Sequence, residues 1–421
     1  MTETRTSTRT GTRTPLSRGA WLYFQASIIV TFLAGSAAPT PLYSVYQVAW
    51  GFSSITVTVI FGIYALAVLA TLLTLGSLSD YIGRKPVLFV TTLLQAATML
   101  IFAHAHAVAD LIVGRVVQGI ATGAAASAIG AAMLDIDRSR GTLANAVGPL
   151  TGTALGGVVS GLFVQYFPAP TQLVYAVLGA VFLLQAITIT VMPETSPRKA
   201  GALASLRPRF QLPPAVRQPL FVAAPVLIAA WALAGLYGAL GPILVRKMLG
   251  SESHALGGLV LLVVAGSGAL TVLLMHASQA RTMLLFGAAA LIAGASITVL
   301  AIEQRWVVAF FVGSAIGGMG FGTGFQGAIR TVVPLASAHE RAGVLSILYV
   351  IAYLAMGLPA IIGGFGVVYG DGLLATAQEY GWAVIVLSAA ALVGTIGRRP
   401  TQQVARPLDI SRGVLCSVDD A

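Results

Sequence analysis

Long apolar runs separated by short polar turns dominate this chain of 421 residues. Most runs approach the ~20 apolar residues that an α-helix needs to cross the hydrocarbon core of a bilayer. They lack the period-two alternation of β-barrel strands, which are about 10 residues long. The pattern predicts an all-α membrane protein with twelve transmembrane helices. The predicted spans are centred on 20–38, 54–75, 87–103, 110–130, 143–165, 171–192, 220–243, 255–275, 282–300, 306–328, 343–367 and 380–397.

Composition supports the same class. Hydrophobic residues make up 57% of the chain and charged residues only 9%, with a mean hydropathy of +0.88. Soluble domains are about one quarter charged. A soluble core has no room for this much apolar surface, so the lipid bilayer is the expected surrounding.

The net charge of +10 has a topological explanation. Of the 24 Lys and Arg residues, 20 fall in segments that the twelve-span arrangement places on one side, while Arg246, Lys247 and Arg305 fall on the other and Arg115 lies inside a span. Basic residues accumulate in cytoplasmic loops. We therefore expect both termini in the cytoplasm of a bacterial cell with the helices in its cytoplasmic membrane, and no nucleic-acid partner.

The widest gap between spans is 194–219, which is rich in proline and basic residues. We interpret it as a cytoplasmic linker between two pseudo-symmetric six-helix bundles, 20–193 and 220–397, with a disordered leader (1–19) and a cytoplasmic tail (398–421). Internal similarity supports this division. Glycines of span four recur in span ten at an offset of 199: Gly114, Gly119 and Gly123 correspond to Gly313, Gly318 and Gly322. Paired six-helix halves with a substrate path between them are a known transporter plan.

A charged turn at 76–86 reads Gly-Ser-Leu-Ser-Asp-Tyr-Ile-Gly-Arg-Lys-Pro. It resembles the loop signature of the major facilitator superfamily through Gly76, Asp80, Gly83, Arg84 and Lys85. The resemblance implies a secondary transporter in which this loop latches the halves shut on the cytoplasmic side. The alternative is that the two basic residues only enforce topology.

Three residues of the turn have expected contacts. Gly76 is expected to permit close contact with a helix of the other half, and Gly83 a sharp reversal of the chain. Asp135, at the end of span four, is the expected partner of Arg84.

Arg115 is the only basic residue well inside a span, where a charge is costly and is a functional candidate by default. Arg115, Gln118 and Gly119 resemble the superfamily's fourth-helix motif, which is linked to proton coupling. We expect Asp110, the nearest acidic residue, to pair with Arg115. The alternative is an arginine that extends outward toward Asp110 and the lipid headgroups. No Asp or Glu lies near the middle of a span, which suits neutral or anionic cargo better than cations.

Span five carries five closely spaced glycines that are expected to let helices approach closely: Gly148, Gly152, Gly156, Gly157 and Gly161. They resemble the antiporter signature of superfamily drug exporters. Gly157 departs from it, since proline is expected there, and Ser160 stands where glycine is usual. These departures leave export against import open.

The favoured function is proton-coupled export of small amphipathic neutral or anionic compounds by alternating access. The alternatives are a proton-coupled or facilitative importer of a small metabolite and, in another class, a polytopic membrane enzyme or a channel. We expect a monomer without cofactor or metal, because no phosphate-binding loop occurs and His104 with His106 make an incomplete ligand set. Polar candidates for the substrate cavity are Gln25, Tyr43, Asn145, Trp231, Tyr237, Gln326 and Tyr353.

Overall fold

The computed structural model describes residues 17–208, 212–250, 253–337 and 340–397, and within these ranges it is helical and contains no strand. The helices are α1 (Arg18–Ala37), α2 (Pro39–Trp50), α3 (Ser54–Leu75), α4 (Ser79–Ile82), α5 (Arg84–Ala103), α6 (Val108–Ile136), α7 (Arg138–Tyr166), α8 (Pro170–Val191), α9 (Ala202–Ser205), α10 (Pro214–Ala239), α11 (Gly241–Leu249), α12 (His254–Leu274), α13 (Ala280–Glu303), α14 (Val307–Val332), α15 (Arg341–Tyr369) and α16 (Gly372–Ile396), with a 3-10 turn at Val333–Leu335.

Twelve helical segments of the described chain are long and apolar enough to cross a membrane. The first combines α1 and α2 into a segment of 33 residues, and the others correspond to α3, α5 to α8, α10 and α12 to α16. The predicted all-α class with twelve spans is confirmed.

The first helix of each half breaks before it ends. α1 ends next to Ala38 and α2 begins with Pro39, while α10 ends next to Leu240 and α11 begins at Gly241. Ala38 and Leu240 occupy equivalent places in the two halves. The predicted spans 20–38 and 220–243 end at these breaks or within a few residues of them, and the helices α2 and α11 beyond them were not predicted.

The span boundaries also differ at the linker. We predicted that 194–219 stays outside the helices because of its prolines, but α10 begins at Pro214 and includes Pro219 and Pro225. Pro214 occupies the first turn, where the missing N–H has no partner in any case, whereas Pro219 and Pro225 lie inside the helix. A short helix, α9, lies within the predicted linker. Residues 1–16 of the leader and the tail 398–421 lie outside the described residues.

Two hydrophobic cores correspond to the two halves. One is built from α1 to α8, and the other from α10 to α16 with Phe61 and Ala65 of α3 added to it. The halves contact each other along two main helix pairs, α7 with α12 and α3 with α15. The basic side is our name for the end of the bundle where α1 begins and residues 76–86 lie.

The closest contacts between the halves lie in the part of the membrane away from the basic side. A Cβ atom at Gly258 of α12 would lie 2.4 Å from the Gly157 carbonyl oxygen of α7. A Cβ at Gly364 of α15 would lie 2.1 Å from Oγ1 of Thr58 in α3. Glycines therefore let the halves approach closely on the side opposite the basic side.

Candidate functional site

Arg115 of α6 is almost completely buried in the first half, with 1% of its surface exposed. Its Nε donates to the Tyr43 hydroxyl oxygen at 2.7 Å, and its Nη1 donates to the Ser36 carbonyl at 2.8 Å and to Gln118 Oε1 at 2.7 Å. Gln118 Nε2 in turn donates to the Gly35 carbonyl at 3.0 Å. The guanidinium is thus fixed on the end of α1.

The sequence at the helix break explains one of these bonds. A helical carbonyl accepts from the N–H four residues later, and the donor that Gly35 would use is Pro39, which has no N–H. Gln118 of α6 supplies the missing donor. Arg115 and Ser160 donate to the neighbouring Ser36 and Ala38 carbonyls, at 2.8 and 2.6 Å, and so tie α6 and α7 to the same end of α1.

The charge of Arg115 is balanced without a carboxylate. No Asp or Glu among the described residues forms an ion pair with it. Its guanidinium carbon lies 5.5, 5.2 and 6.0 Å from the ring centroids of Tyr43, Tyr64 and Phe102. Aromatic faces attract cations, and the carboxyl end of a helix carries partial negative charge. The site is a fixed cation held by dipoles and ring faces.

The predicted pair of Asp110 with Arg115 is wrong, as is the alternative of an outward-extending arginine. Asp110 Oδ2 accepts from the backbone N–H groups of His106 and Ala107, at 2.9 and 3.0 Å, and so closes the first turn of α6. Five residues of an α-helix turn through about 140° beyond a full circle, which places the two side chains on different faces.

The second half has a neutral counterpart at the equivalent place. Ser314 of α14 stands 199 residues after Arg115, at the offset seen in the sequence. Its hydroxyl oxygen lies 2.7 Å from the Tyr237 hydroxyl, which also lies 3.4 Å from Oγ1 of Thr298. The pseudo-symmetry therefore holds in position, while the charge is confined to the first half.

In the 76–86 loop, Arg84 lies between the carboxylates of Asp80 and Asp135. Its Nη1 contacts Asp80 and Ser79, and its Nε lies 3.5 Å from Asp135 Oδ2. The Arg84 side chain is 10% exposed, against 51% and 35% for the two aspartates. The guanidinium is therefore nearly buried, while both of its carboxylate partners remain accessible to solvent.

Glu194 is a central member of this cluster that we did not predict from the sequence. Its Oε1 accepts from the Arg84 N–H at 2.8 Å and its Oε2 from the Lys85 N–H at 3.1 Å, which caps the start of α5. A carboxylate is favoured at a helix N-terminus. Gly83, at φ 102°, leaves room for it, because a Cβ there would lie 2.5 Å from Glu194 Oε2. The available signal was that Glu194 is the only acid in 194–219.

The end of α8 and the start of the linker are attached to the loop by further bonds. Lys85 Nζ donates to the Thr190 carbonyl at 2.6 Å, and Thr195 Oγ1 donates to Asp135 Oδ2 at 3.1 Å. The Lys199 N–H donates to the Tyr81 carbonyl at 2.8 Å. Asp135 thus holds both Arg84 and the linker.

We predicted that Gly76 contacts a helix of the other half, but its nearest neighbours in the structure lie in its own helix. The three atoms nearest to a Cβ at Gly76 all belong to Leu72, one turn earlier in the same chain. Close contact of α3 with the other half occurs farther along, at Gly62 against Ile361. The backbone of α3 ends at Gly76, which terminates the helix before the turn.

The glycines of α7 serve two different contacts. A Cβ at Gly152 or Gly156 would lie 2.3 or 2.2 Å from the carbonyl oxygen of Val30 or Ala34, so these glycines, with Gly148 against Ile29, bring α7 onto α1. Gly157 and Gly161 face α12 instead, against Leu261 and Gly258. The five glycines therefore pack one face of α7 against α1 of its own half and another face against α12 of the other half.

The predicted cavity residues do not meet in one place. Tyr43 joins Arg115, whereas Gln25 donates to Met192 Sδ and Asn145 donates to the Gly130 carbonyl, which are helix-packing contacts. Trp231 and Tyr353 belong to an aromatic cluster of the second half, with centroids 5.1 Å apart. The other rings of that cluster are Phe321, Phe325 and Tyr349, and Gln326 is half-buried beside it on α14.

A family model described as Major Facilitator Superfamily matches residues 25–302 of this chain. The match covers more than half of the 421 residues and includes both the 76–86 loop and Arg115. The chain belongs to the major facilitator superfamily. Family membership confirms the resemblance seen in the sequence and identifies a membrane transporter, not an enzyme.

Curated relatives within the superfamily include multidrug resistance proteins MdtL. The protein from Shewanella sp. (strain ANA-3) is 27% identical over 69% of this chain and 75% of its own length. The one from Klebsiella pneumoniae (strain 342) is 29% identical over 38% of this chain, and the chain spans only 44% of that relative.

Solved structures of superfamily transporters share the fold of this chain. A point mutant of the nucleoside transporter NupG has a TM-score of 0.68 at 12% identity, over 90% of this chain and 100% of that one. A bacterial homologue of the human lysosomal transporter Spinster, in an inward-facing and unoccupied conformation, has a TM-score of 0.71 at 14% identity, over 90% of this chain and 97% of that one. At these identities the likeness concerns the fold alone.

Proposed function

We propose that this superfamily member exports small amphipathic neutral or anionic compounds from bacteria by proton-linked alternating access. The observation that carries the proposal is that the closest glycine contacts between the two halves, Gly258 with Gly157 and Gly364 with Thr58, lie away from the basic side. Small residues permit close helix approach without interlocking side chains, so such a contact is suited to repeated opening and closing. The curated relatives named for multidrug resistance favour export over import.

The cargo charge follows from the buried site. Arg115 is a cation, and no carboxylate of the described chain pairs with it. A cationic compound near this site meets repulsion in a medium of low dielectric constant. Neutral and anionic compounds are therefore the cargo class that the site supports best.

An arginine does not release its proton, so the coupling protons need other groups. We assign them to Asp80 and Asp135, the partly exposed carboxylates on either side of Arg84. A proton on either carboxylate weakens its contact with Arg84 and so loosens the loop. Arg115 and Gln118 act in this proposal by fixing the end of α1 during the cycle.

The orientation completes the proposal. We place the basic side, the linker 194–219 and both termini in the cytoplasm, because this arrangement keeps 20 of the 24 basic residues inside. Reporter fusions after Arg198 and after Arg399 are expected to report a cytoplasmic location at both points. A periplasmic reading at either point contradicts the proposed orientation.

Transport in everted membrane vesicles tests the function directly. With an imposed proton gradient, the wild-type protein is expected to accumulate neutral or anionic amphipathic compounds, and an uncoupler to abolish this accumulation. Asp80→Asn is expected to reduce uphill transport strongly at normal expression. Asp371→Asn, an exposed aspartate at the start of α16, is the matched control. Accumulation by intact cells in place of vesicles indicates an importer and contradicts the proposal.

A further inference from the structure

A cleft of about 430 Å³ lies between α1, α7 and α12 on the basic side, separate from the Arg115 cluster. Its volume falls in the range of about 300–1,000 Å³ that is typical of ligand sites. Its walls are mostly apolar, with Leu22, Val30, Leu143 and Leu273 among them, and Arg140 is its only charged lining residue. The lining residue Tyr23 is 66% exposed, so the cleft opens at the surface of the bundle.

The length of the cleft matches one leaflet of a bilayer. Its wall on α7 runs from Arg140 to Thr151, which is about 17 Å at the helical rise. Half of a hydrocarbon core is about 15 Å thick. The deep end closes where α7 meets α1, with Gly152 against the Val30 carbonyl. An extended acyl chain fits this slot from the interface to the bilayer midplane.

The charge at the open end of the cleft selects a headgroup. Arg140 lies in the first turn of α7, and its side chain is 66% exposed with Asp137 Oδ2 4.0 Å from its Nε. Arg18, exposed at the start of α1, precedes the lining residue Leu22 by one helical turn. Two arginines against one carboxylate leave a net positive opening at headgroup depth.

We propose that the cleft binds an anionic phospholipid of the leaflet on the basic side, with one acyl chain between α1, α7 and α12 and its phosphate at Arg140. Juxtamembrane arginines attract anionic lipids. Because the cleft lies beside the α7–α12 contact between the halves, a bound chain supports one arrangement of that contact. From the proposed function this inference takes only the orientation, which makes the leaflet cytoplasmic.

Native mass spectrometry of the purified protein tests the headgroup. Phosphatidylglycerol is expected to bind about fivefold more tightly than phosphatidylethanolamine with identical acyl chains, the effect of one basic residue at a membrane surface. Arg140→Gln is expected to remove this preference. Arg138→Gln, an exposed arginine two residues away that does not line the cleft, is the matched control and is expected to keep it. Equal binding of both lipids, or equal loss in both variants, overturns the proposal.

Photo-crosslinking tests the location. Phosphatidylglycerol with a photoreactive group in its acyl chain is expected to label peptides that contain 22–30 and 143–151. Ala144→Leu, which fills the cleft, is expected to reduce this labelling severalfold without a change in expression. Labelling that is unchanged by Ala144→Leu, or that is confined to the outer face of α8, overturns the proposed site. Neither experiment measures transport, so failure here is distinguishable from failure of the proposed function.

Discussion

Gly258 gives a direct test of how the two halves close on each other. A Cβ added at this position of α12 would lie 2.4 Å from the Gly157 carbonyl oxygen and 3.1 Å from the Cα of Val158. Both atoms belong to the backbone of α7 and have no rotamer to adopt. The two helices must separate by roughly 1 Å to restore an ordinary contact of about 3.5 Å.

Forced packing of this kind costs about 1–3 kcal/mol. The cost of Gly258→Ala applies only to the arrangement in which α7 and α12 are in contact. Since 1.4 kcal/mol corresponds to a factor of ten, the equilibrium is expected to shift about 5- to 150-fold away from closure on the side opposite the basic side. The two cores themselves are not touched, so the protein is expected to fold and insert normally.

Distance measurement between spin labels detects this shift. Val48 at the end of α2 is 85% exposed and Leu249 at the end of α11 is 36% exposed, so labels at these positions report the opening between the halves. Gly258→Ala is expected to lengthen the label distance and to lower transport. Gly179→Ala is the control, because its Cβ meets only Met99 at 3.5 Å. An unchanged distance distribution with unchanged transport refutes the reasoning.

Three further predictions concern single side chains. Arg115→Lys keeps the charge but loses the planar guanidinium that donates to Tyr43, Ser36 and Gln118. Transport in vesicles is therefore expected to fall at least tenfold at normal expression. A near-normal rate contradicts the anchoring role of Arg115. Asp110→Asn retains an oxygen that caps α6, so uphill transport is expected to change less than twofold, and its abolition would restore Asp110 as the proton site. Glu194→Gln removes a charge that caps α5 and is expected to lower the melting temperature by a few degrees, equivalent to about 1 kcal/mol, measured by thermal unfolding in detergent; no shift contradicts the capping role.

The sequence predicted the features that depend on long-range composition and on depth in the membrane. Twelve apolar runs fix the helices, because the bilayer leaves a backbone few other ways to satisfy its hydrogen bonds. Arg115 stood out for the same reason, since a charge inside a span needs a compensating environment. These predictions depend on the lipid bilayer around the helices and not on any particular contact between residues.

The predictions that failed depend on which groups meet across the fold. Asp110 was chosen as the nearest acid along the chain, but helical rotation separates it from Arg115. The actual partners of Arg115 are Tyr43, Gln118 and the Ser36 carbonyl at the end of α1, and the order of residues along the chain does not reveal which distant groups meet there. Glu194 was missed for a related reason, because its role exists only once the end of α8 lies beside the start of α5.

The bonds at the start of the linker set a limit on how far the halves can move apart. Ser77 Oγ donates to the Ser205 carbonyl at 3.0 Å, and with the Lys199 and Glu194 contacts this holds the linker on the first half up to Ser205. The second half begins at Pro214. Only nine residue steps therefore join the two bodies, which reach about 30 Å when fully extended. The segment between Ser205 and Pro214 is short, so its length limits how far the two halves can separate on the basic side.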